Sequence, residues 1–269
     1  MNRILDPITE IPVKINCEIR SGSYYTFEID LTSETGFKVL RENNTHYLKS
    51  EEFLVSADAE VDSWKRADSF LATLCLLHNG VFSRILWKKR AAFEGIEFVR
   101  RGYSPFGSGA SVFTAEDFIP LTDKTLYLQA YQKIFDRITQ DQQAYCILVY
   151  YATSNWFYLS NLVREAGINY FTVVEAITKT QLPSHPAKAI YNLGDIKDAA
   201  DKLCVDAIDW SKIDKAHKTR GALAHGNPDS LLLAQHTHGS NPVSSASIWK
   251  PADECKTAAD IFLKKYFRI

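Results

Sequence analysis

Between residues 123 and 164 the chain contains neither glycine nor proline and is filled with tyrosine, leucine, isoleucine and alanine. A stretch without the two residues that most readily break regular structure satisfies its backbone as α-helix. The polar run Thr139-Gln140-Asp141-Gln142-Gln143 interrupts it, so the spacing predicts two helices rather than one. Three more are expected behind them, over 169–181, over 196–208, and from Ser211, where an acidic residue three positions on, Asp214, resembles a capping box. That last helix meets a stop at Gly226-Asn227-Pro228. A loop over 240–247 and an amphipathic helix over 252–267 close the chain.

The residues before 120 follow another pattern. Val13, Ile15 and Cys17 alternate with polar neighbours, as do Tyr25, Phe27, Ile29 and Leu31, with turn signals at Ser21-Gly22-Ser23 and at Gly36. A period of two with such punctuation predicts strands. Trp64, Ala67, Phe70, Leu71, Leu74 and Cys75 then recur at three and four, which predicts a helix over 58–79. Short strands are expected over 82–87, over 93–99 and near Val112. The fold class is therefore α+β, a mixed β/α sensing or recognition domain over 1–120 followed by an all-α helical bundle over 121–269.

Lysine and arginine number 31 against 32 aspartates and glutamates, a net charge of −1. No global field draws in nucleic acid, so any such contact must come from a local patch. The five cysteines, Cys17, Cys75, Cys146, Cys204 and Cys255, are scattered without a C-x-x-C pair, which suggests reduced thiols. Residues 1–7 carry no continuous apolar signal, and the longest apolar stretch, 144–152, is too short to span a bilayer. The expectation is a cytoplasmic protein without a membrane contact.

The segment that carries chemistry runs from Ile213 to Asn227. Ile213, Ala216, Leu223 and Ala224 share a helical stripe, and Arg220 falls on it, so a guanidinium points toward packing. A charge there needs a carboxylate, a set of carbonyls, or a cleft open to solvent or phosphate. His225 follows five positions later, about 140° around the axis and about 7.5 Å along it. It stands in the last turn, where the helix dipole favours the imidazolium, and Gly226 leaves room beside it. Cleavage of RNA by its own 2′-hydroxyl needs a base, an acid and a cation for the charged transition state. The plainer alternative pairs Arg220 with a carboxylate such as Glu175 and makes His225 a helix cap.

Arg220, four residues, His225 and then Gly226, near the end of the penultimate long helix of a bundle, resemble the signature of the HEPN superfamily. The upstream helix with Phe171, Val174 and Glu175 is similar to the one preceding it in Apea-like members. The resemblance covers about the last 150 residues. It implies a homodimer in which Arg220 and His225 cleave RNA without metal or other cofactor, with Glu175, Gly226 and Asn227 supporting the site. It also implies a role in bacterial conflict or phage defence. Where many members have a polar residue after the arginine, this chain has Gly221, and the alternative function is a non-catalytic HEPN-like module that binds RNA or a protein and dimerises.

Two basic groups are candidates for RNA contact. Lys88, Lys89 and Arg90 lie with Arg84, Arg100 and Arg101 among aromatics, and Lys212, Lys215, His217 and Lys218 flank the motif helix. Either group also reads as an ordinary solvated face. His236-Thr237-His238 lacks a third metal ligand at usable spacing, and no phosphate-binding glycine loop or Gly-x-Ser-x-Gly elbow occurs.

Overall fold

A computed structural model describes residues 16–21, 29–42, 45–50, 59–78, 80–84, 124–160, 162–182, 192–225 and 245–269. The described part is mostly helical, with an N-terminal antiparallel sheet. The strands are β1 (Asn16–Ser21), β2 (Ile29–Leu31), β3 (Phe37–Glu42), β4 (Thr45–Ser50) and β5 (Phe82–Arg84). Their order across the sheet is β2-β3-β4-β1-β5, every pair antiparallel. Leu31, which closes the alternation read from sequence, is buried in the core together with Phe37, Val39 and Leu48.

A four-residue helix, α1 (Thr32–Thr35), turns the chain from β2 into β3 and ends on Gly36, whose φ of 80° is left-handed. Among the described residues nothing crowds an added Cβ there, and the cost of a side chain is the backbone conformation. Gly36→Ala is expected to lower stability by about 1–2 kcal/mol, read as a lower urea midpoint with unchanged slope.

Helix α2 (Ala59–His78) matches the expected span, and Ala67, Phe70, Leu71, Leu74 and Cys75 are all buried. Phe70 packs against Phe37 of the sheet at 5.9 Å and against Tyr127 at 5.6 Å. Tyr127 belongs to α3 (Lys124–Gln140), and its hydroxyl donates to the Phe70 carbonyl at 3.0 Å. One continuous apolar core thus runs from the sheet through α2 into the helices that follow.

The break expected near 139–143 is a single residue. Asp141 separates α3 from α4 (Gln142–Leu159), and its carboxylate caps α4 by accepting from the N–H groups of Gln143 and Ala144. Several later boundaries differ from expectation. Helix α5 (Val163–Gln181) starts well before 169, after a reversal through Ser160 and Leu162 that no glycine or proline marks. Helix α6 (Leu193–Lys202) ends early because Cys204 takes a left-handed φ of 55°. Helix α7 (Ala207–His225) then begins at Ala207, not at Ser211; Asp206 accepts from the Asp209 N–H at 2.8 Å, while Ser211 lies inside the helix and donates to the Ile208 carbonyl. The last helix, α8 (Ser245–Phe267), starts ahead of 252 and carries Pro251 within it. Strands expected over 93–99 and near Val112 fall outside the described residues. Among those described, no helix is long and apolar enough to cross a membrane.

Candidate active site

Helix α7 lies along α8 and crosses α5. Its packed stripe is the one read from the sequence: Ile213, Ala216 and Leu223 are buried, and Thr219 joins them. On α8, Ala252, Cys255, Ala258 and Ala259 are all fully buried. The Cys255 thiol donates to the Ala216 carbonyl at 3.8 Å. Glu254 of α8 clamps the outer edge, accepting from Thr219 Oγ1 at 2.7 Å and pairing with Lys215 Nζ at 2.9 Å.

The crossing with α5 is marked by a glycine. Gly167 sits where an added Cβ would come within 2.6 Å of Leu223 Cδ1 and 3.6 Å of the Ala252 backbone. A glycine inside α5 therefore reflects three helices meeting, not a helix end. One turn earlier, Arg164 donates from Nε to the Leu223 carbonyl at 3.0 Å, a cation set against the carbonyl end of α7.

At this crossing Arg220 finds its partner. Its guanidinium lies 3.1 Å from Glu175 Oε1 on α5, with side-chain exposures of 22% and 18%. Burial pushes the Glu175 carboxyl above its ordinary range, and the charge of Arg220 pulls it part of the way back. The Arg220 Nε is buried with no acceptor among the described residues. Among the described residues, nothing lies within 4 Å of a Cβ added at Gly221 beside it.

His217 lies one turn before Arg220. Its ring packs against Phe171 of α5 at 5.7 Å, tilted by 59°. Partial burial pulls the imidazole below its ordinary value, Arg220 adds to the effect, Asp214 opposes it, and Lys218 adds again. The folded protein thus holds this proton less tightly than the unfolded chain does. Its contribution to stability is complete above the ordinary value of 6.5 and is lost as pH falls through the lower folded value. His217→Asn is expected to flatten that part of the stability curve, measured as urea midpoints between about pH 5 and pH 8.

The sequence-derived residues are placed unevenly. Arg220 and Glu175 come together. His225 is the final residue of α7, and its side chain lies outside the described part of the structure. Gly226, Asn227, Lys88, Lys89, Arg90, His236 and His238 also lie outside it. Lys215 is paired with Glu254, and Lys218 with Asp214 at 2.7 Å, so carboxylates balance the positive flank of α7 locally.

Two residues here, Arg164 and Glu254, escaped the sequence reading as site components, and His217 was read only as part of the positive flank of the helix. His217 had a usable signal, since it is four positions after Ile213 and three before Arg220, on the same side of the helix. Arg164 had none while α5 was expected to begin at 169, and Glu254 becomes a partner only through the α7–α8 contact. Comparison of the chain with family models, with curated proteins and with solved structures finds no match in any of the three.

Proposed function

We propose that this chain is a metal-independent endoribonuclease of the HEPN kind, acting in the cytoplasm as a homodimer through its helical part. In this reading Arg220 and His225 are the acting pair, and no cofactor is called on. The observation that carries it is the state of Arg220. It stands on the inward stripe of α7 yet stays partly open, oriented by one carboxylate at 3.1 Å and with its Nε donor unspent among the described residues. A guanidinium held in this way, with Nε buried, offers a phosphate the donors that its partial exposure leaves accessible, without first having to be ordered. His225 at the end of the same helix supplies the proton-transfer group. The resemblance extends the reading to bacterial conflict or phage defence, with the N-terminal part directing the activity.

A second reading, a non-catalytic module that dimerises or binds RNA or a protein, is favoured by the same pair seen differently. Glu175 gives Arg220 a counter-charge within one chain, and Lys215 and Lys218 are likewise paired. The two readings separate on cleavage of labelled total transfer RNA in excess EDTA by dimeric wild-type protein beside Arg220→Ala and His225→Ala. Cleavage by the wild type that both substitutions remove supports the enzyme. Salt-sensitive RNA binding that survives His225→Ala, without cleavage, supports the module.

A further inference from the structure

Helix α4 contains no lysine, arginine, aspartate or glutamate in its 18 residues. Every other described helix longer than one turn carries charges of both signs. The inner side of α4 is accounted for by the core, where Ile147, Leu148, Tyr151, Asn155 and Tyr158 are buried. The outer side is the unusual one. Gln142, Cys146, Val149, Tyr150, Thr153 and Phe157 recur at three and four, within about 100° of arc over about four turns. Val149 and Tyr150 are 36% and 45% exposed, and Cys146 is open as well. An outward helix stripe ordinarily bears charges, whereas a surface poor in charge and rich in aromatic rings is the composition of a covered one. Ile208 is more exposed still, at 73%, but it stands next to Asp209 as a single apolar residue.

Along the α5 side of the stripe runs a groove of about 440 Å³, lined by Gln143, Cys146, Tyr150, Ala176, Lys179 and Leu182 among others. Among the described residues Lys179 is the one charged side chain that lines it. Ala176 faces the groove while Glu175 beside it holds Arg220, so this face borders the candidate site.

We infer that a second copy of this chain covers this face, the two α4 helices meeting about a two-fold axis. The inference rests on the homodimer of the reading above and gives that dimer its surface. In a two-fold contact each residue near the axis meets its own copy, so a charge there faces a like charge and is repelled. A partner of different sequence imposes no such ban, because its charges can be matched by opposite ones on α4. The loss of every charge from this one helix is what self-association requires. Lys179 lies on the α5 side of the groove, off the stripe. The size also fits: α4 is about 27 Å long, and with α5 alongside the face is about 20 Å wide. Side-chain relief over that footprint brings its accessible area toward the about 800 Å² that each partner of a stable pair buries.

The test is sedimentation of the full chain over a range of concentrations, for wild type, Tyr150→Glu, Tyr150→Lys, Val149→Lys and, as a control, Ile208→Lys. The wild type is expected to be a dimer. The α4 variants are expected to raise its dissociation constant by about 10²-fold or more, and Ile208→Lys to leave it unchanged. An equimolar mixture of Tyr150→Glu and Tyr150→Lys is expected to recover the association that neither shows alone, which misfolded variants cannot do. A short bismaleimide is expected to join two wild-type copies through Cys146, with the exposed Cys204 as the internal comparison. A wild type that stays monomeric, a dimer that the α4 variants leave intact, or cross-links through Cys204 alone overturns the inference. Cleavage in excess EDTA is read on the same samples. Cleavage by a dimer indifferent to charge on α4 overturns this face and leaves the ribonuclease standing, and a dimer that needs α4 but cleaves nothing does the reverse.

Discussion

Arg220→Ala is expected to slow RNA cleavage in EDTA by roughly 10²–10³-fold, the usual consequence of removing one preorganised donor from a developing oxyanion. The guanidinium is the cation of the proposed reaction, and alanine leaves nothing in its place. The same substitution strips Glu175 of its counter-charge, so a loss of folding has to be separated from a loss of chemistry. Arg220→Lys keeps the charge but not the planar fork, and is expected to recover only part of the rate. Glu175→Gln keeps the cation and removes the tether. If Arg220 acts on phosphate, Glu175→Gln retains measurable cleavage and weakens it through orientation. If the pair is only a tie between α5 and α7, Glu175→Gln and Arg220→Ala lower the urea midpoint alike and neither alters RNA binding.

The largest stability effect is expected from Asp260→Ala, a loss of about 3–5 kcal/mol measured by chemical denaturation. Asp260 on α8 is 6% exposed and accepts from Tyr151 at 2.6 Å and from Lys256 at 2.5 Å, with Lys256 only 5% exposed. Burial keeps the Tyr151 phenol protonated far above its ordinary range, and the charge of Asp260 reinforces this, so it is a donor throughout. Removing the carboxylate strands an ammonium and a hydroxyl together in the helical interior, and a domain stable by only about 5–15 kcal/mol feels that strongly. Replacing all three polar partners, with Asp260→Leu, Lys256→Met and Tyr151→Phe, is expected to restore most of the loss. A triple variant as unstable as Asp260→Ala would show that packing at this position, not the stranded charge, sets the cost.

Much of the helical order was legible. The three-and-four spacing of Phe70, Leu71, Leu74 and Cys75 marks α2 nearly to its ends, and the polar run around Asp141 marks the break between α3 and α4. The stripe of Ile213, Ala216 and Leu223 named the packed face of α7, and Glu175 was already a possible partner of Arg220. Boundaries set by conformation rather than composition were not legible. The reversal before Val163 runs through Ser160 and Leu162, neither of which is a turn signal, and the end of α6 rests on a cysteine in a left-handed conformation. Gly167 and Pro251 both lie inside helices whose expected starts, at 169 and 252, fell after them.

By itself the sequence determined periodicity: which residues share a strand face or a helix stripe follows from repeats of two and of three to four, set by local backbone geometry. It also determined the spacing of Arg220 and His225 along one helix, and with it the chemistry the pair suggests. Only the tertiary structure decided which stripe meets which. Asp260 reaches Tyr151 across 109 residues of sequence, and Phe171 meets His217 because α5 crosses α7 where Gly167 lets Leu223 and Ala252 press in. Such contacts depend on the angle and distance at which helices pack, which the summed burial of many side chains sets and no single motif encodes.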